Sequence, residues 1–197
     1  PMFCEQKTTI SLSSDGVVQL PPITVKRVVS KISYNLTAKP ADMELKSVQL
    51  ISIPRTAVVF APDGTAADNP DDYTDSPETT LTGQRAAGSY YMLPNRQGVN
   101  TSITDQKQKN ADNAPACASW LLIRATRGSK VLAYSVYLGE NNTSDFNVRA
   151  NCHYRLNITL LNDNTADTRI ASYTATVYDD FDDGNIGSYC VYDPDYS

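Results

Sequence analysis

The amino-acid sequence predicts an all-β protein, a β-sandwich of about eight or nine mostly antiparallel strands with long loops. Tyr, Val, Thr and Ile recur in short alternating runs, and clusters of Gly, Pro, Asn and Asp separate these runs. No segment has the apolar periodicity of an amphipathic helix of about three turns. Alternating runs separated by turn residues in this way are typical of a sandwich of two packed sheets.

Three predicted strands lie in the N-terminal half of the chain. In residues 24–36 (TVKRVVSKISYNL), apolar residues of one parity alternate with Arg, Lys and Asn, which predicts a long strand buried on one face. Residues 45–53 (LKSVQLISI) predict a second strand with a less regular alternation. Residues 89–93 (SYYML) predict a short strand that ends at Pro94, since proline cannot donate to a strand ladder.

The C-terminal half predicts a hairpin followed by further strands. Residues 119–125 (SWLLIRA) and 131–138 (VLAYSVYL) form its two arms, joined by a turn that contains glycine. Residues 152–160 (CHYRLNITL) and 171–178 (ASYTATVY) each alternate strictly, and residues 188–192 (SYCVY) also have the composition of a strand.

Two polar segments do not fit a minimal sandwich. Residues 61–89 are rich in Pro, Gly and Asp, and residues 94–118 are similar. Loops of this length inside a compact domain are usually either functional or disordered. The sequence leaves open whether these loops recognise a ligand or are surface excursions without a binding role.

The charge distribution argues against a nucleic-acid partner. The net charge is −5, whereas proteins that bind nucleic acid present a basic face. The chain has no Lys or Arg after Arg169, and residues 179–197 are rich in Asp. This segment is interpreted as a solvated acidic tail, with a cation site or docking onto a partner as the alternatives.

The cysteines are widely separated and include no C-x-x-C pair, so they do not form a zinc ribbon or a redox motif. They are Cys4, Cys117, Cys152 and Cys190. All four are candidate disulfide partners, and the sequence neither chooses a pairing nor excludes free thiols.

Cys152 stands next to His153, the only histidine, which raises the question of a catalytic or metal-binding pair. Neighbouring strand residues point to opposite faces of a sheet. We therefore expect Cys152 to face the core and His153 to face water. Side chains on opposite faces cannot share a metal ion or form a nucleophile–base pair in a regular strand.

No other pattern of catalysis or cofactor binding is present. The chain lacks G-x-S-x-G, the phosphate-binding P-loop and the dinucleotide fingerprint. Residues 179–185 (DDFDDGN) superficially resemble a calcium loop, but Phe181 and Cys190 occupy positions that require oxygen ligands. The sequence predicts no enzyme, no cofactor and no metal site.

Four motifs, in a fixed order, carry a family resemblance. They are residues 27–32 (RVVSKI), 91–98 (YMLPNRQG), 134–139 (YSVYLG) and 145–154 (DFNVRANCHY). With these motifs the chain resembles the fimbrillin superfamily of Bacteroidales, the subunits of surface pili and related adhesins, over about residues 20–178.

The chain departs from the family pattern at three positions: Ser30, Leu93 and Ala150. Ala150 separates Arg149 from Asn151 and acts as an inserted residue on a strand. This insertion predicts a β-bulge near residues 149–151.

The resemblance implies a transthyretin-like β-sandwich displayed on the cell surface by an exported lipoprotein. It also implies attachment to the outer membrane through an N-terminal lipid anchor that this chain does not contain. The predicted organisation is an N-terminal remnant or leading strand (1–19), the fimbrillin-like domain (20–178) and an acidic tail with a short strand (179–197).

Fimbrillin stalk subunits assemble by strand exchange, in which a segment of one subunit completes a sheet of its neighbour. The resemblance makes residues 171–192 the candidate donor segment. Its positions of interest are Ala171, Tyr173, Ala175, Val177, Tyr189 and Val191. The alternative is that this segment is the last strand of the domain's own sheet, followed by a tail.

The sequence thus supports two functions of different classes. The first is a non-enzymatic pilus subunit (stalk, anchor or tip) with other fimbrial subunits as partners. The second is a β-sandwich module that binds a glycan or a host protein through residues 61–89 and 94–118, with exposed Tyr side chains as contacts.

Overall fold

The structure is a computed structural model of the chain. It describes residues 2–4, 9, 22, 25–60, 64 and 66–161, together with the backbone of residues 170–178. None of the helices in these residues has the length and apolar character needed to cross a bilayer.

The described residues form fourteen strands and two short 3-10 helices. The strands are β1 (Met2–Phe3), β2 (Lys26–Arg27), β3 (Ser30–Ala38), β4 (Met43–Ile51), β5 (Ile53–Pro54), β6 (Tyr73–Thr74), β7 (Thr79–Thr80), β8 (Arg85–Met92), β9 (Asn95–Val99), β10 (Trp120–Arg127), β11 (Lys130–Tyr137), β12 (Asp145–Val148), β13 (His153–Leu160) and β14 (Ile170–Tyr178). The 3-10 helices are Pro70–Asp72 and Gln106–Gln108.

Two four-stranded sheets make up the sandwich. Sheet I has the order β11-β10-β4-β7, and sheet II has the order β14-β13-β3-β8. All pairs are antiparallel except β13 and β3, which run parallel. Three two-stranded ribbons, β1-β2, β5-β6 and β9-β12, complete the described part.

The main core lies between the two sheets. Alternate residues of β3, β13, β10 and β11 are buried, as the period of two in their sequences predicts. The largest fully buried side chains in this core include Tyr134, Tyr154, Ile32, Leu50 and Ile123. The all-β sandwich predicted from the sequence is therefore confirmed.

Several boundaries differ from the prediction. β8 begins at Arg85, so part of the predicted loop 61–89 is strand, and β9 lies inside the predicted loop 94–118. The alternation in β8 is hard to recognise because its residues are small or polar (RAAGSYYM) and most stay partly exposed.

The predicted bulge near residues 149–151 is wrong. β12 ends at Val148 and pairs with β9, whereas β13 begins at His153 and belongs to sheet II. The residues between them form a turn that carries the chain from one ladder to another, with Asn151 at a φ of 59°. The Asn151 side chain accepts a hydrogen bond from the Arg27 amide at 2.9 Å, which fixes this turn beside β2.

Candidate assembly and binding surfaces

The Cys152–His153 pair is split as predicted, but the environment of His153 is not the predicted one. Cys152 belongs to the main core. His153 lies on the opposite face of β13, yet it is only 2% exposed, so the prediction that it faces water is wrong. Its Nε2 lies 2.8 Å from the hydroxyl of Ser33 on the neighbouring strand β3.

The described residues contain no group of three or more His, Cys, Asp or Glu side chains able to hold a metal ion. No disulfide joins Cys4, Cys117 and Cys152 to one another. Cys190 lies outside the described residues, and the role of the four cysteines as disulfide partners stays a prediction.

The candidate donor segment begins as an edge strand. Ala171, Tyr173, Ala175 and Val177 lie on β14, which pairs antiparallel with β13 of the same chain. The register places Tyr173 opposite Ile158, Ala175 opposite Leu156 and Val177 opposite Tyr154. Tyr189 and Val191 lie outside the described residues. In the described part of sheet II, β14 is bonded to β13 alone.

A buried polar network joins the loops on either side of β8. The Asn95 amide donates to the Cys117 carbonyl and to the Ser119 hydroxyl, both at 2.8 Å. The Gln97 side-chain amide donates to both the Tyr73 hydroxyl and the Asn95 side-chain oxygen Oδ1 at 2.9 Å. Burial raises the pKa of Tyr73 to about 12. These bonds order the loop segments against the sandwich, because buried polar groups are costly unless they are paired.

A buried lysine joins residues 94–118 to the turn before β12. Lys109 is 6% exposed, and its Nζ donates to the Asn141 carbonyl at 2.6 Å and lies 5.2 Å from the Phe146 ring centre. Burial lowers the pKa of Lys109 to about 7, although the nearby Asp145 carboxylate opposes this shift. Gly139 has a φ of 155°, and a Cβ there would lie 1.9 Å from the Asp145 carbonyl oxygen, so this turn requires glycine.

An apolar surface lies next to the Tyr73 network. Val58 and Phe60 are 67% and 66% exposed. Val58 also lines a cavity of about 270 Å³, together with Pro54, Ala57, Ala66, Tyr73 and Pro94, among other residues. We call Val58, Phe60 and this cavity the apolar patch. Exposed apolar groups next to a pocket are typical of contact surfaces.

The sequence marked the strands of sheet II and the motif around Cys152, but it did not mark Asn95, Lys109 or Val58 as important. Asn95 and Lys109 carry no local pattern, because their partners are far away in the sequence. The one available signal was that Asn95 lies within the 91–98 motif.

Solved structures that match this chain are described as putative cell adhesion proteins and a tip fimbrial protein of Bacteroidales. A structure described as a "putative cell adhesion protein" from Parabacteroides distasonis ATCC 8503 has a TM-score of 0.55 at 16% identity, covering 79% of this chain and 53% of its own. The tip fimbrial protein Mfa3 from Porphyromonas gingivalis has a TM-score of 0.44 at 15% identity, covering 87% of this chain and 59% of its own.

A second "putative cell adhesion protein", from Bacteroides eggerthii DSM 20697, has a TM-score of 0.47 at 11% identity, covering 85% of this chain and 60% of its own. The chain thus spans between 53% and 60% of the length of these structures. Residues 90–158 match the family described as "Domain of unknown function (DUF4906)". No curated protein sequence matches the chain. The P. distasonis protein, at 16% identity, shows that the two chains share a fold.

Proposed function

We propose that the chain is a non-enzymatic, fimbrillin-like subunit of a pilus-like assembly at the cell surface. It acts as a stalk, anchor or tip component and is held at the outer membrane by an N-terminal lipid anchor. The proposal is supported by the sandwich fold shared with the P. distasonis protein and by the sequence motifs that resemble fimbrillins. Its partners are other fimbrial subunits.

We infer that the subunits assemble by exchange of β14. Among the described strands of sheet II, β14 is the outermost, and β13 is its neighbour in the ladder. A strand held by one ladder at a sheet edge can be exchanged between molecules with the same register, so that the neighbour's strand makes the bonds that the chain's own strand makes. In the assembly, β14 of one subunit pairs with β13 of the next.

The register provides a direct test of this exchange. Asn157 of β13 pairs with Thr174 of β14. Two single variants, Asn157→Cys and Thr174→Cys, are made in a chain with Cys4 and Cys190 changed to Ser, mixed at high concentration and oxidised. Since each molecule carries only one of the two new thiols, a disulfide between them forms only if β14 of one molecule pairs with β13 of another. We expect a covalent heterodimer on non-reducing gels.

Ala175→Cys is the matched control, since this position pairs with Leu156 and is one residue out of register with Asn157. It should form no heterodimer with Asn157→Cys, because adjacent strand positions point to opposite faces. A double variant Asn157→Cys/Thr174→Cys that oxidises only within one molecule, together with no heterodimer from the single variants at any concentration, would contradict strand exchange.

The apolar patch favours a second function, a module that binds a host protein or a glycan through the loops. Val58 and Phe60 present apolar side chains to solvent, and Val58 also lines the cavity. Glycan and host-protein arrays probed with the wild type and with Val58→Ser/Phe60→Ser test this function. Specific binding by the wild type that the double variant loses would support this function. Binding that is unchanged in the variant would show that the apolar patch is not the binding surface.

A further inference from the structure

Another cavity, lined by polar groups, shares Tyr73 with the cavity of the apolar patch. Its volume of about 540 Å³ lies within the range of about 300–1,000 Å³ that is usual for ligand pockets. We call it the polar cleft. The polar side chains that line it are Gln49, Ser52, Arg55, Thr74, Asp75 and Ser76. Because an apolar ligand would leave these groups unpaired, the lining favours a ligand that is rich in hydrogen-bonding groups.

The walls of the polar cleft are held in place by hydrogen bonds to the backbone. The Ser52 amide donates to Oδ1 of the Asp75 carboxylate at 3.1 Å, and the Ser52 carbonyl accepts from the Ser119 hydroxyl at 2.6 Å. These two bonds support Ser52 at a φ of 56°, in the left-handed region. On the opposite strand of the ribbon β5-β6, the Tyr73 carbonyl accepts from Arg55 Nε at 2.8 Å. Arg55 and Asp75 are therefore positioned before a ligand binds, which lowers the entropic cost of binding.

These bonds leave the outer atoms of the charged side chains available to a ligand. Among the described residues, Arg55 bonds through Nε alone, so its Nη groups remain as donors. Asp75 accepts through Oδ1 alone, and Gln49 donates through Nε2 to the Ser76 carbonyl at 2.8 Å. Asp75 Oδ2 and the Gln49 side-chain oxygen thus remain as acceptors. The cleft offers charged donors and acceptors that are not paired with each other within the described part of the chain.

The two opposite charges favour a ligand that is neutral. A hydroxyl group both donates and accepts, so hydroxyls of one ligand can accept from Arg55 and donate to Asp75. A carboxylate or sulfate group would be attracted by Arg55 but repelled by Asp75, and an ammonium group would meet the reverse arrangement. A ligand with several hydroxyls and no charge satisfies both side chains.

We propose that the polar cleft binds a neutral saccharide. Arg55 donates to hydroxyl groups of the sugar, and Asp75 and Gln49 accept from others. This inference rests on the second function proposed above and deepens it, because it names the ligand class and a surface lined by other residues than Val58 and Phe60. It does not depend on assembly into a pilus.

A glycan array tests the ligand class. The whole chain is applied to neutral glycans that end in galactose, glucose, mannose or fucose, and to sialylated and sulfated glycans. We expect binding to neutral glycans. Calorimetry with the bound neutral glycan should show that Arg55→Ala raises the dissociation constant about 10- to 100-fold, because a charge-assisted hydrogen bond is lost. Arg124→Ala is the matched control, since it removes a surface arginine that pairs with Glu78 and should leave the dissociation constant unchanged.

Asp75→Asn is a sharper variant, because it keeps the side-chain oxygen that accepts from the Ser52 amide. It replaces Oδ2 with an amide donor and removes the negative charge. The dissociation constant for the neutral glycan should rise about 10- to 100-fold, whereas binding to sialylated glycans should increase. Asp42→Asn makes the same charge change beside Arg127 and should alter neither. Circular dichroism establishes that all variants are folded.

Three results would overturn the proposal. The first is an array without neutral glycans bound, together with amide NMR signals of residues 49–55 and 70–76 that do not shift with methyl glycosides of the four sugars. The second is neutral-glycan affinity unchanged in Arg55→Ala. The third is binding through Arg55 of only sialylated or sulfated glycans, or of a host protein without any glycan.

The variant Val58→Ser/Phe60→Ser separates this proposal from the second function itself. Glycan binding that is lost in Val58→Ser/Phe60→Ser but intact in Arg55→Ala would place the ligand on the apolar patch. The second function would then stand, and the assignment to the polar cleft would be wrong.

Discussion

The two hydrophobic clusters formed by the described residues are built in different ways. The main core lies between the sheets and consists of side chains that alternate along long strands. The small cluster consists of Ile103, Ala118, Tyr137 and Phe146 and packs against Trp120. Its neighbours are the Asn95 network and the buried Lys109, so polar contacts do much of the ordering there. The main core is stabilised by apolar burial, and the loop region depends on paired polar groups.

The largest expected effect is a cavity in the main core. Leu156 is fully buried on β13, and Leu156→Ala should lower the free energy of unfolding by about 2–5 kcal/mol. Leu122→Ala is the matched control, because Leu122 lies half-buried on β10 between the buried residues Leu121 and Ile123. Its loss should be under ~1.5 kcal/mol, since less apolar area leaves water in the folded state. Urea unfolding measures both losses. Equal losses would mean that Leu122 contributes as much to stability as the core-facing Leu156, against the burial described here.

A smaller loss is expected when the polar network of the loops is broken. Asn95→Leu removes the amide that donates to Ser119 and to the Cys117 carbonyl, and leaves these buried groups without it. The Ser119 hydroxyl keeps its hydrogen bond to the Ser52 carbonyl at 2.6 Å, so the Cys117 carbonyl is the one buried group that loses its partner, and such a group costs about 1–3 kcal/mol. Gln84→Ala removes an exposed amide that donates to the Pro40 carbonyl at 2.7 Å and should change the free energy of unfolding by under ~0.5 kcal/mol.

Proteolysis locates the effect of Asn95→Leu. If the network orders the loops, cleavage within residues 66–84 and 100–118 should accelerate in this variant more than cleavage within the strands of sheet II. Uniform acceleration of cleavage throughout the chain would mean that Asn95 stabilises the whole sandwich and not the loop region alone. This result would contradict the statement that the two clusters are stabilised in different ways.

The sequence predicted the main core far better than the loop region. The alternation in β3, β10, β11 and β13 is a local pattern with a period of two, so it can be read from one segment at a time. Asn95 and Ser119 lie 24 residues apart, and Lys109 and Asn141 lie 32 apart, so neither contact leaves a local pattern. His153 shows the same limit, because parity predicted its face but not its burial, which differs from that of Asn157 on the same face of β13.

The buried lysine makes the loop region sensitive to pH in a way that the main core is not. Lys109 has a pKa of about 7 in the folded protein because it is buried, whereas an unfolded lysine has a pKa of about 10.4. Between these values the unfolded chain binds the proton more tightly, so the contribution of Lys109 to stability is full above about pH 10.4 and is lost as the pH falls through about 7.

Lys109→Met removes this linkage. Relative to the variant, the wild type should gain roughly 1 kcal/mol of unfolding free energy per pH unit between about pH 7 and 9. Denaturant unfolding of both proteins across this range measures the difference, in which the contributions of the other titrating groups cancel. Parallel curves would mean that Lys109 stays charged in the folded protein.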